Sequence, residues 1–119
     1  MKTGRVLIVD DQFLIVEFLR LWVETLGFEV CATANTAAGA LDLALRLRPD
    51  VVLMDLHLAG GGDGVAAACA ILASLPTRIV YCTGSGDPAT IQRLNANHAS
   101  AILAKPIDPA ELARILAAL

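Results

Sequence analysis

The segment Val6-Leu7-Ile8-Val9-Asp10-Asp11 decides the fold class, because four apolar residues are followed at once by two acidic ones. A short run with no polar alternation is typical of a strand that is buried on both faces, as in a parallel sheet. The pattern recurs at Val51-Val52-Leu53-Met54-Asp55. Two such strands separated by helical sequence predict a parallel sheet that is covered by helices on both faces.

Outward from these segments, short apolar runs alternate with longer helical stretches, which gives a series of β-α units with no linker between them. The predicted strands are 6–9, 28–34, 51–54, 78–82 and 101–104. The predicted helices are 11–26, a second from 35 or 36 to 48, 65–75, a short one opening at 87–88 and a last one opening at 108–109. Right-handed crossovers favour the strand order 2-1-3-4-5. We therefore expect one doubly wound, flavodoxin-like α/β domain over residues 1–119.

The first predicted helix carries end signals and an apolar stripe. Asp11 is expected to cap its amino terminus, and Gly27 to end it in a left-handed conformation. Five apolar residues recur at helical spacing and should face the sheet, namely Ile15, Phe18, Leu19, Trp22 and Leu26. Four others are left partly outside this stripe, namely Phe13, Leu14, Val16 and Leu21. Because these four follow the acidic residues, they predict a surface that contacts a partner protein.

The composition argues against several classes of function. Of the 119 residues, 56% are hydrophobic, which is ample for a core and argues against disorder. The net charge is −3 and no basic patch is present, so we expect no DNA binding. No apolar run approaches the roughly 20 residues of a membrane span. Cys31, Cys69 and Cys82 are odd in number and lack metal-site spacing, which favours a cytoplasmic protein with reduced cysteines.

Polar side chains follow the predicted strands at the point where each strand ends. Asp10 and Asp11 follow the first, Asp55 the third, Thr83 the fourth and Lys105 the fifth. The carboxyl ends of parallel strands meet at one edge, and ligands bind there where the strand order reverses. Each residue alone has an ordinary explanation as a helix cap, a turn residue or a solvated charge. Together, at adjoining strand ends, they predict a functional site.

The predicted site suits phosphoryl transfer. Three carboxylates repel one another, and a divalent cation relieves the repulsion; carboxylates suit Mg²⁺, which also accepts a phosphoryl oxygen. Lys105 would supply a further positive charge, and Thr83 a hydrogen bond to the arriving group. Asp55 is then the nucleophile that forms an aspartyl-phosphate, and it needs no base because a carboxylate is already ionised at neutral pH.

These residues together resemble the receiver domain of two-component response regulators. The resemblance covers the whole chain and rests on four segments at their predicted strand ends, namely 6–11, 51–56, Thr83-Gly84 and Lys105-Pro106. It implies that Asp10 and Asp11 form the acidic Mg²⁺ pair and that Asp55 is the phosphoacceptor. It also implies that the backbone carbonyl of His57 binds the metal, that Thr83 is the switch hydroxyl and Lys105 the family's lysine, and that the Lys105-Pro106 bond is cis.

The same resemblance implies a switch that takes its phosphoryl group from a sensor histidine kinase or a histidine phosphotransfer protein. Such a protein is not an enzyme beyond assisting its own phosphorylation and dephosphorylation. Because no output module follows the fifth helix, we expect output by protein contact or as a phosphate sink, from a monomer or weak dimer. The short fourth helix is the expected output element.

The sequence departs from the family pattern at two places. Position 59 is Ala rather than Pro, and Asp63-Gly64 come one residue late after three glycines, which predicts a mobile loop. Ile102 stands where the family has a rotating Tyr or Phe. The absent aromatic and Tyr81-Cys82-Thr83-Gly84 together resemble the stand-alone alphaproteobacterial Phe-Ala-Thr-Gly receivers, which are often linked to kinases of the HWE type.

Two other functions fit parts of the pattern. An aspartate-nucleophile phosphohydrolase would also use Asp55 and Mg²⁺, but it needs a second Asp two residues later as acid–base, and that position is His57. A degenerate receiver could act only as a scaffold. The complete set of acidic residues argues against this second alternative.

Overall fold

The computed structural model describes residues 4–119, so the first three residues of the predicted domain lie outside the described range. The strands are β1 Arg5–Val9, β2 Glu29–Ala34, β3 Val51–Asp55, β4 His57–Leu58, β5 Gly62–Asp63, β6 Arg78–Thr83 and β7 Ala99–Ala104. The helices are α1 Phe13–Thr25, α2 Ala37–Leu47, α3 Gly64–Leu72, α4 Pro88–Ala96 and α5 Pro109–Ala118.

Five strands form one parallel sheet in the order β2-β1-β3-β6-β7. The short strands β4 and β5 pair only with each other, so the main sheet has the predicted order 2-1-3-4-5. Every residue of β3 is buried, and β1 is buried from Val6 onward. These strands need no polar alternation because both of their faces are covered, as the apolar runs predict. The doubly wound α/β fold is confirmed.

Two apolar layers hold the sheet between the helices. One layer joins alternate residues of the central strands, such as Leu7 and Val9, to α2, α3 and α4. The other joins the intervening residues, such as Val6 and Ile8, to α1 and α5. Successive strand side chains point to opposite faces, so one unbroken apolar run serves both layers. This packing fixes the strand ends, and the strand ends position the site.

The orientation and start of α1 differ from the prediction. Asp11 does not cap the helix, which begins at Phe13; Asp10 accepts the Gln12 N–H at 2.9 Å, and Gln12 stays extended. The side chains that α1 buries are Val16, Leu19 and Val23. Phe18 and Leu26 were predicted to face the sheet, but they are 51% and 39% exposed, so these two predictions are wrong. Val16 was predicted to lie outside the buried stripe, and this prediction is wrong too, because Val16 is buried. The buried stripe follows the spacing of these smaller residues, and Phe18 instead stacks on Trp22, with ring centroids 5.5 Å apart.

The glycine-rich segment after β3 forms a hairpin, and its predicted mobility stays a prediction. Residues Ala59–Gly61 make a 3₁₀ turn between β4 and β5, with Gly60 and Gly61 at positive φ. Helix α3 begins at Gly64 and ends at Leu72, three residues before the predicted end. Leu75 precedes a proline, which disfavours helical backbone there, and turn hydrogen bonds to Cys69 and Ile71 end the helix.

Elsewhere the predicted boundaries shift by one or two residues. Helix α2 is capped by Thr36 and ends at Leu47, with Arg48 left-handed, and β7 begins at Ala99. Asp87 and Asp108 cap α4 and α5 as their Asp-Pro pairs predict. Within residues 4–119, no helix combines the length and apolar character that a membrane crossing requires.

Candidate functional site

Five polar residues lie together at the carboxyl edge of the sheet, where the sequence predicts them. Asp10 directly follows β1, Asp55 and Thr83 are the last residues of β3 and β6, and Lys105 directly follows β7. Asp10, Asp55 and Thr83 are buried, whereas Asp11 is exposed. The site lies across β1, β3 and β6, at the point where the strand order reverses.

The acidic residues form a compact cluster around one ammonium group. Asp10, Asp11 and Asp55 each present a carboxylate oxygen within 4.8 Å of the other two. The Lys105 Nζ donates to Asp10 Oδ2 and to Asp55 Oδ1, at 3.0 Å each. Its backbone N–H donates to the Thr83 carbonyl at 2.9 Å, and the Lys105-Pro106 peptide is cis, as expected. Within residues 4–119, the three negative charges therefore share one ammonium group, that of Lys105.

The electrostatics favour added positive charge. Burial raises the pKa of Asp55, and the nearby charge of Asp10 raises it further, although hydrogen bonds from Lys105 and the Leu56 N–H oppose the shift. Burial alone would lower the pKa of Lys105, but its bonds to Asp10 and Asp55 raise it above the usual value. Lys105 therefore stays protonated, and the carboxylates remain incompletely neutralised.

The donor set fits Mg²⁺. Three carboxylate oxygens at this spacing match the all-oxygen coordination that Mg²⁺ prefers, and the exposure of Asp11 leaves room for the waters that this ion keeps. His57, whose carbonyl the resemblance assigns to the metal, begins β4 two residues after Asp55, and its side chain is exposed. A cleft of about 330 Å³ opens beside Asp10 and Asp11, between the start of α1 and the end of β2.

Thr83 is held by the loop that follows it. Its Oγ1 accepts the Ser85 N–H at 3.0 Å and donates to the Ser85 carbonyl at 3.3 Å. The Ser85 hydroxyl donates to Asp87, whose carboxylate caps α4 by accepting the Thr90 N–H at 3.1 Å. The sequence indicates the hydroxyl at 83 but gives no sign of this chain of contacts from the site to α4.

The cysteines take no visible part in this chemistry. All three are free; Cys82 is buried, and Cys31 and Cys69 are half-buried. Cys82 lies opposite Asp55 in the β3–β6 pairing, yet burial raises its pKa to about 12, so the thiol is protonated and unsuited to nucleophilic attack at neutral pH.

Comparison with known proteins defines the class to which this fold and site belong. The sequence matches the family described as "Response regulator receiver domain" over residues 6–117, and the chain belongs to that family. Receiver domains are phosphoacceptor switches of two-component systems; they generally bind Mg²⁺ at an acidic cluster and accept phosphate from histidine kinases. The resemblance to receiver domains inferred from the sequence is confirmed, and the resemblance to the Phe-Ala-Thr-Gly subgroup stays a prediction.

Individual relatives agree with this assignment. The chain is 40% identical over 109 residues to protein-glutamate methylesterase/protein-glutamine glutaminase 2 of Anaeromyxobacter dehalogenans, covering 91% of this chain but only 32% of that protein. It thus spans about a third of this relative. The receiver domain of a modulated diguanylate cyclase from Desulfovibrio desulfuricans superposes with a TM-score of 0.88 at 34% identity, covering 98% and 93% of the two chains. The receiver domain of the putative response regulator NarL from Mycobacterium tuberculosis superposes with a TM-score of 0.90 at 28% identity, covering 99% of this chain and 96% of that chain.

Proposed function

We propose that Asp55 accepts a phosphoryl group from the phosphohistidine of a sensor histidine kinase or histidine phosphotransfer protein. The observation that carries this proposal is the cluster of three carboxylates within 4.8 Å around the ammonium group of Lys105. Such a cluster is prepared for a metal ion and for the charge of about −1.5 to −2 that a phosphoryl group brings.

The contacts of Asp55 favour one of its two oxygens for the attack. Among the described residues, the hydrogen bonds to its carboxylate fall on Oδ1, from the Leu56 N–H at 2.9 Å and from Lys105 at 3.0 Å. These bonds orient the carboxylate and leave Oδ2 for attack on phosphorus. As the new O–P bond forms, the P–N bond of the donor breaks and its electron pair returns to the imidazole nitrogen.

The surrounding residues stabilise the transferring group. Lys105 reaches Asp55 already and can follow the phosphoryl oxygens as charge shifts to them. The Thr83 hydroxyl can exchange its Ser85 partners for a phosphoryl oxygen. Bound Mg²⁺, held by Asp10, Asp11, Asp55 and the His57 carbonyl, would neutralise the carboxylates and one oxygen of the group. Hydrolysis at the same site would return Asp55 to its free form.

The apolar surface of α1 is the proposed docking site for the phosphodonor. Phe13, Leu14, Phe18 and Leu21 are each more than half exposed, and Phe13 also lines the cleft beside Asp10 and Asp11. This continuity means that a helical partner lying on α1 would bring its histidine to the acidic cluster. Exposed apolar residues grouped in this way mark interaction surfaces.

Two measurements test the proposal. Incubation with acetyl phosphate and Mg²⁺ should add one phosphoryl group by intact mass, and Asp55→Ala should abolish the addition while Asp42→Asn on the exposed face of α2 leaves it unchanged. Failure of the wild-type chain to gain mass, or retention of the gain in Asp55→Ala, would refute the assignment. Repeated turnover of a small phosphate ester would instead favour the phosphohydrolase.

The docking site has its own test. Phe13→Ala and Leu21→Ala should slow phosphotransfer from the cognate kinase about tenfold, the loss expected when one interface anchor is truncated. Their rates with acetyl phosphate should not change, because neither residue supplies a group to the acidic cluster. Leu45→Ala is the matched control, since Leu45 is a 43% exposed apolar residue on α2. Equal kinase rates for all three variants would contradict docking on α1.

A further inference from the structure

Ile102 stands at the position where the family has a rotating aromatic residue. The rotation of an aromatic side chain at this position therefore cannot signal phosphorylation in this chain. Ile102 lies half-buried in β7, opposite Tyr81 of β6. Tyr81 is fully buried, and its hydroxyl donates to the Asn97 carbonyl at the end of α4, at 2.9 Å. A ring fixed in this way cannot swing between buried and exposed positions. A change at Asp55 therefore needs a different route to α4.

The hairpin after β3 begins at the acidic site and is fixed to it. In this hairpin, His57 of β4 pairs directly with Asp63 of β5. Its far end is tied back, because the Gly64 N–H donates to the Leu56 carbonyl at 2.9 Å. Gly64 is also so close to β3 that a Cβ there would lie 1.9 Å from the Asp55 carbonyl oxygen. A displacement of the backbone at His57 is thus passed across one strand pair to Asp63.

The carboxylate of Asp63 connects this hairpin to two helices. Its Oδ1 accepts the Val65 N–H at 2.9 Å and caps α3, and its Oδ2 accepts from Arg93 of α4 at 2.7 Å. These contacts outweigh partial burial and lower the pKa of Asp63, so the ion pair persists at neutral pH. Both side chains are about half exposed, and such pairs add little to stability. The pair is better suited to transmitting a displacement than to holding the fold together.

Helix α4 is held by few contacts. Leu94 is its one buried residue, and the last turn is tied by Arg93 to Asp63 and by the Asn97 carbonyl to Tyr81. The side-chain amide of Asn97 donates to the Arg93 carbonyl at 2.7 Å, and its Oδ1 accepts from Cys69 Sγ of α3 at 3.4 Å, so these contacts meet in the same turn. A helix with so little buried surface can shift at low cost in free energy.

We propose that the hairpin from His57 to Asp63, together with Arg93, is the route by which phosphorylation of Asp55 repositions the last turn of α4. This inference rests on the proposed phosphoacceptor function. Loading of the site moves the His57 backbone, Asp63 moves with its strand partner, and the ion pair carries Arg93 along. The route reaches α4 at its carboxyl end, independently of the Thr83–Ser85–Asp87 contacts at its amino end.

Amide chemical shifts measured before and after addition of Mg²⁺ and beryllofluoride, a phosphoryl analogue, test the route. Asp63→Asn retains an acceptor for the Val65 N–H but removes the ion pair, and Arg93→Gln removes it from the other side. In both variants, the changes in amide chemical shift at residues 93–97 should fall to about half of the wild-type changes or less. This is the lower end of the effect expected for residues that couple distant sites. Changes at residues 83–87 should remain, and Arg93→Lys should restore part of the response.

A matched control and two distinct failures make the result decisive. Arg114→Gln removes an arginine that pairs with Glu111 on the exposed side of α5, and it should respond as wild type. Undiminished changes at residues 93–97 in both Asp63→Asn and Arg93→Gln would overturn the route. Absence of any change around Asp55 in the wild-type chain would instead count against the phosphoacceptor function itself.

Discussion

Replacing Asp55 by Asn should stabilise the metal-free protein while abolishing its phosphorylation. The substitution preserves the shape of the side chain and an oxygen that can accept the Leu56 N–H, but it removes one charge from a crowded cluster. The raised pKa of Asp55 has burial as its largest cause, so the ionised carboxylate is less favourable here than in the unfolded chain. Loss of that charge should therefore favour the folded state.

The distances give the magnitude. At the largest separation of 4.8 Å, repulsion of Asp55 by each of Asp10 and Asp11 is about 3.5 kcal/mol at an effective dielectric constant near 20. Attraction to Lys105 at 3.0 Å is about 5.5 kcal/mol on the same scale, which leaves a net repulsion of about 1.5 kcal/mol. Solvent around the exposed Asp11 weakens its share of this repulsion, so the charge–charge sum lies close to balance and the burial of Asp55, the largest cause of its raised pKa, decides the sign. We expect Asp55→Asn to raise the free energy of unfolding by about 1 to 2 kcal/mol.

Urea unfolding in the presence of a chelator, followed by the fluorescence of the single tryptophan, Trp22, measures the effect. The midpoint should rise with an unchanged slope, since the surface exposed on unfolding is the same. Asp42→Asn removes an exposed carboxylate on α2 and should change the free energy of unfolding by less than about 0.5 kcal/mol. Added Mg²⁺ should stabilise the wild-type chain more than Asp55→Asn, because the variant lacks one ligand.

The advantage of Asn should depend on pH in a defined direction. The pKa of Asp55 is raised in the folded state, so ionisation of this carboxyl group lowers the free energy of unfolding. This loss of stability is absent below the ordinary pKa of 3.8 and develops as the pH rises through the folded-state pKa. The two proteins should therefore converge in stability as the pH falls toward 3.8. If Asp55→Asn were equal to or less stable than wild type at neutral pH without metal, the electrostatic reasoning would be refuted.

Three further variants probe the neighbours of Asp55. Lys105→Ala leaves Asp10 and Asp55 without their ammonium partner, so the free energy of unfolding measured in urea without metal should fall by about 2 kcal/mol. Phosphorylation of this variant by acetyl phosphate should slow about tenfold or more. Thr83→Ala removes the hydroxyl bonded to the Ser85 backbone and should cost about 1 kcal/mol in the same assay, whereas Thr83→Ser should not. Gly64→Ala places a methyl group against the Asp55 carbonyl and should cost about 3 kcal/mol or more.

The outcomes that contradict these expectations are specific. If Lys105→Ala were phosphorylated at the wild-type rate, the ammonium group would have no role in the reaction. If Thr83→Ala and Thr83→Ser were equally stable, the hydroxyl group at position 83 would not contribute to the stability of the folded state. The glycine prediction has an internal control, because a Cβ at Gly84 meets nothing within 4 Å and Gly84→Ala should be nearly neutral. Similar stability of Gly64→Ala and Gly84→Ala would contradict the close approach to β3.

The sequence was sufficient to predict the sheet and the meeting of the polar residues. Strand β3 is apolar up to Asp55 because both of its faces are covered. This requirement acts on consecutive residues, so four apolar residues in a row are enough to indicate a buried strand. Once parallel strands are inferred, topology alone brings the ends of β1, β3, β6 and β7 to one edge. The positions of Asp55 and Lys105 relative to each other therefore follow from strand order, without knowledge of any side-chain contact.

Features set by long-range packing were not predictable in the same way. The helical period of α1 allows several stripes, and packing against the sheet selects Val16 rather than Phe18 for burial. The glycine-rich segment predicts a loop, but its closure into a hairpin depends on the anchoring of Gly64 against β3. The Asp63–Arg93 pair joins residues thirty positions apart on different elements, and no local pattern indicates such a pair.

The contrast between the sheet and α4 explains how one chain can both hold a strained charge cluster and respond to its neutralisation. The strands that carry Asp10, Asp55 and Thr83 are buried on both faces, so repulsion among the carboxylates cannot be relieved by moving the strands apart. Relief must come from bound cations or from the hairpin and loops, which have less buried surface. Those segments lead directly to the two ends of α4, so on the proposed route a change in charge at the rigid site would move a helix that has a single buried residue.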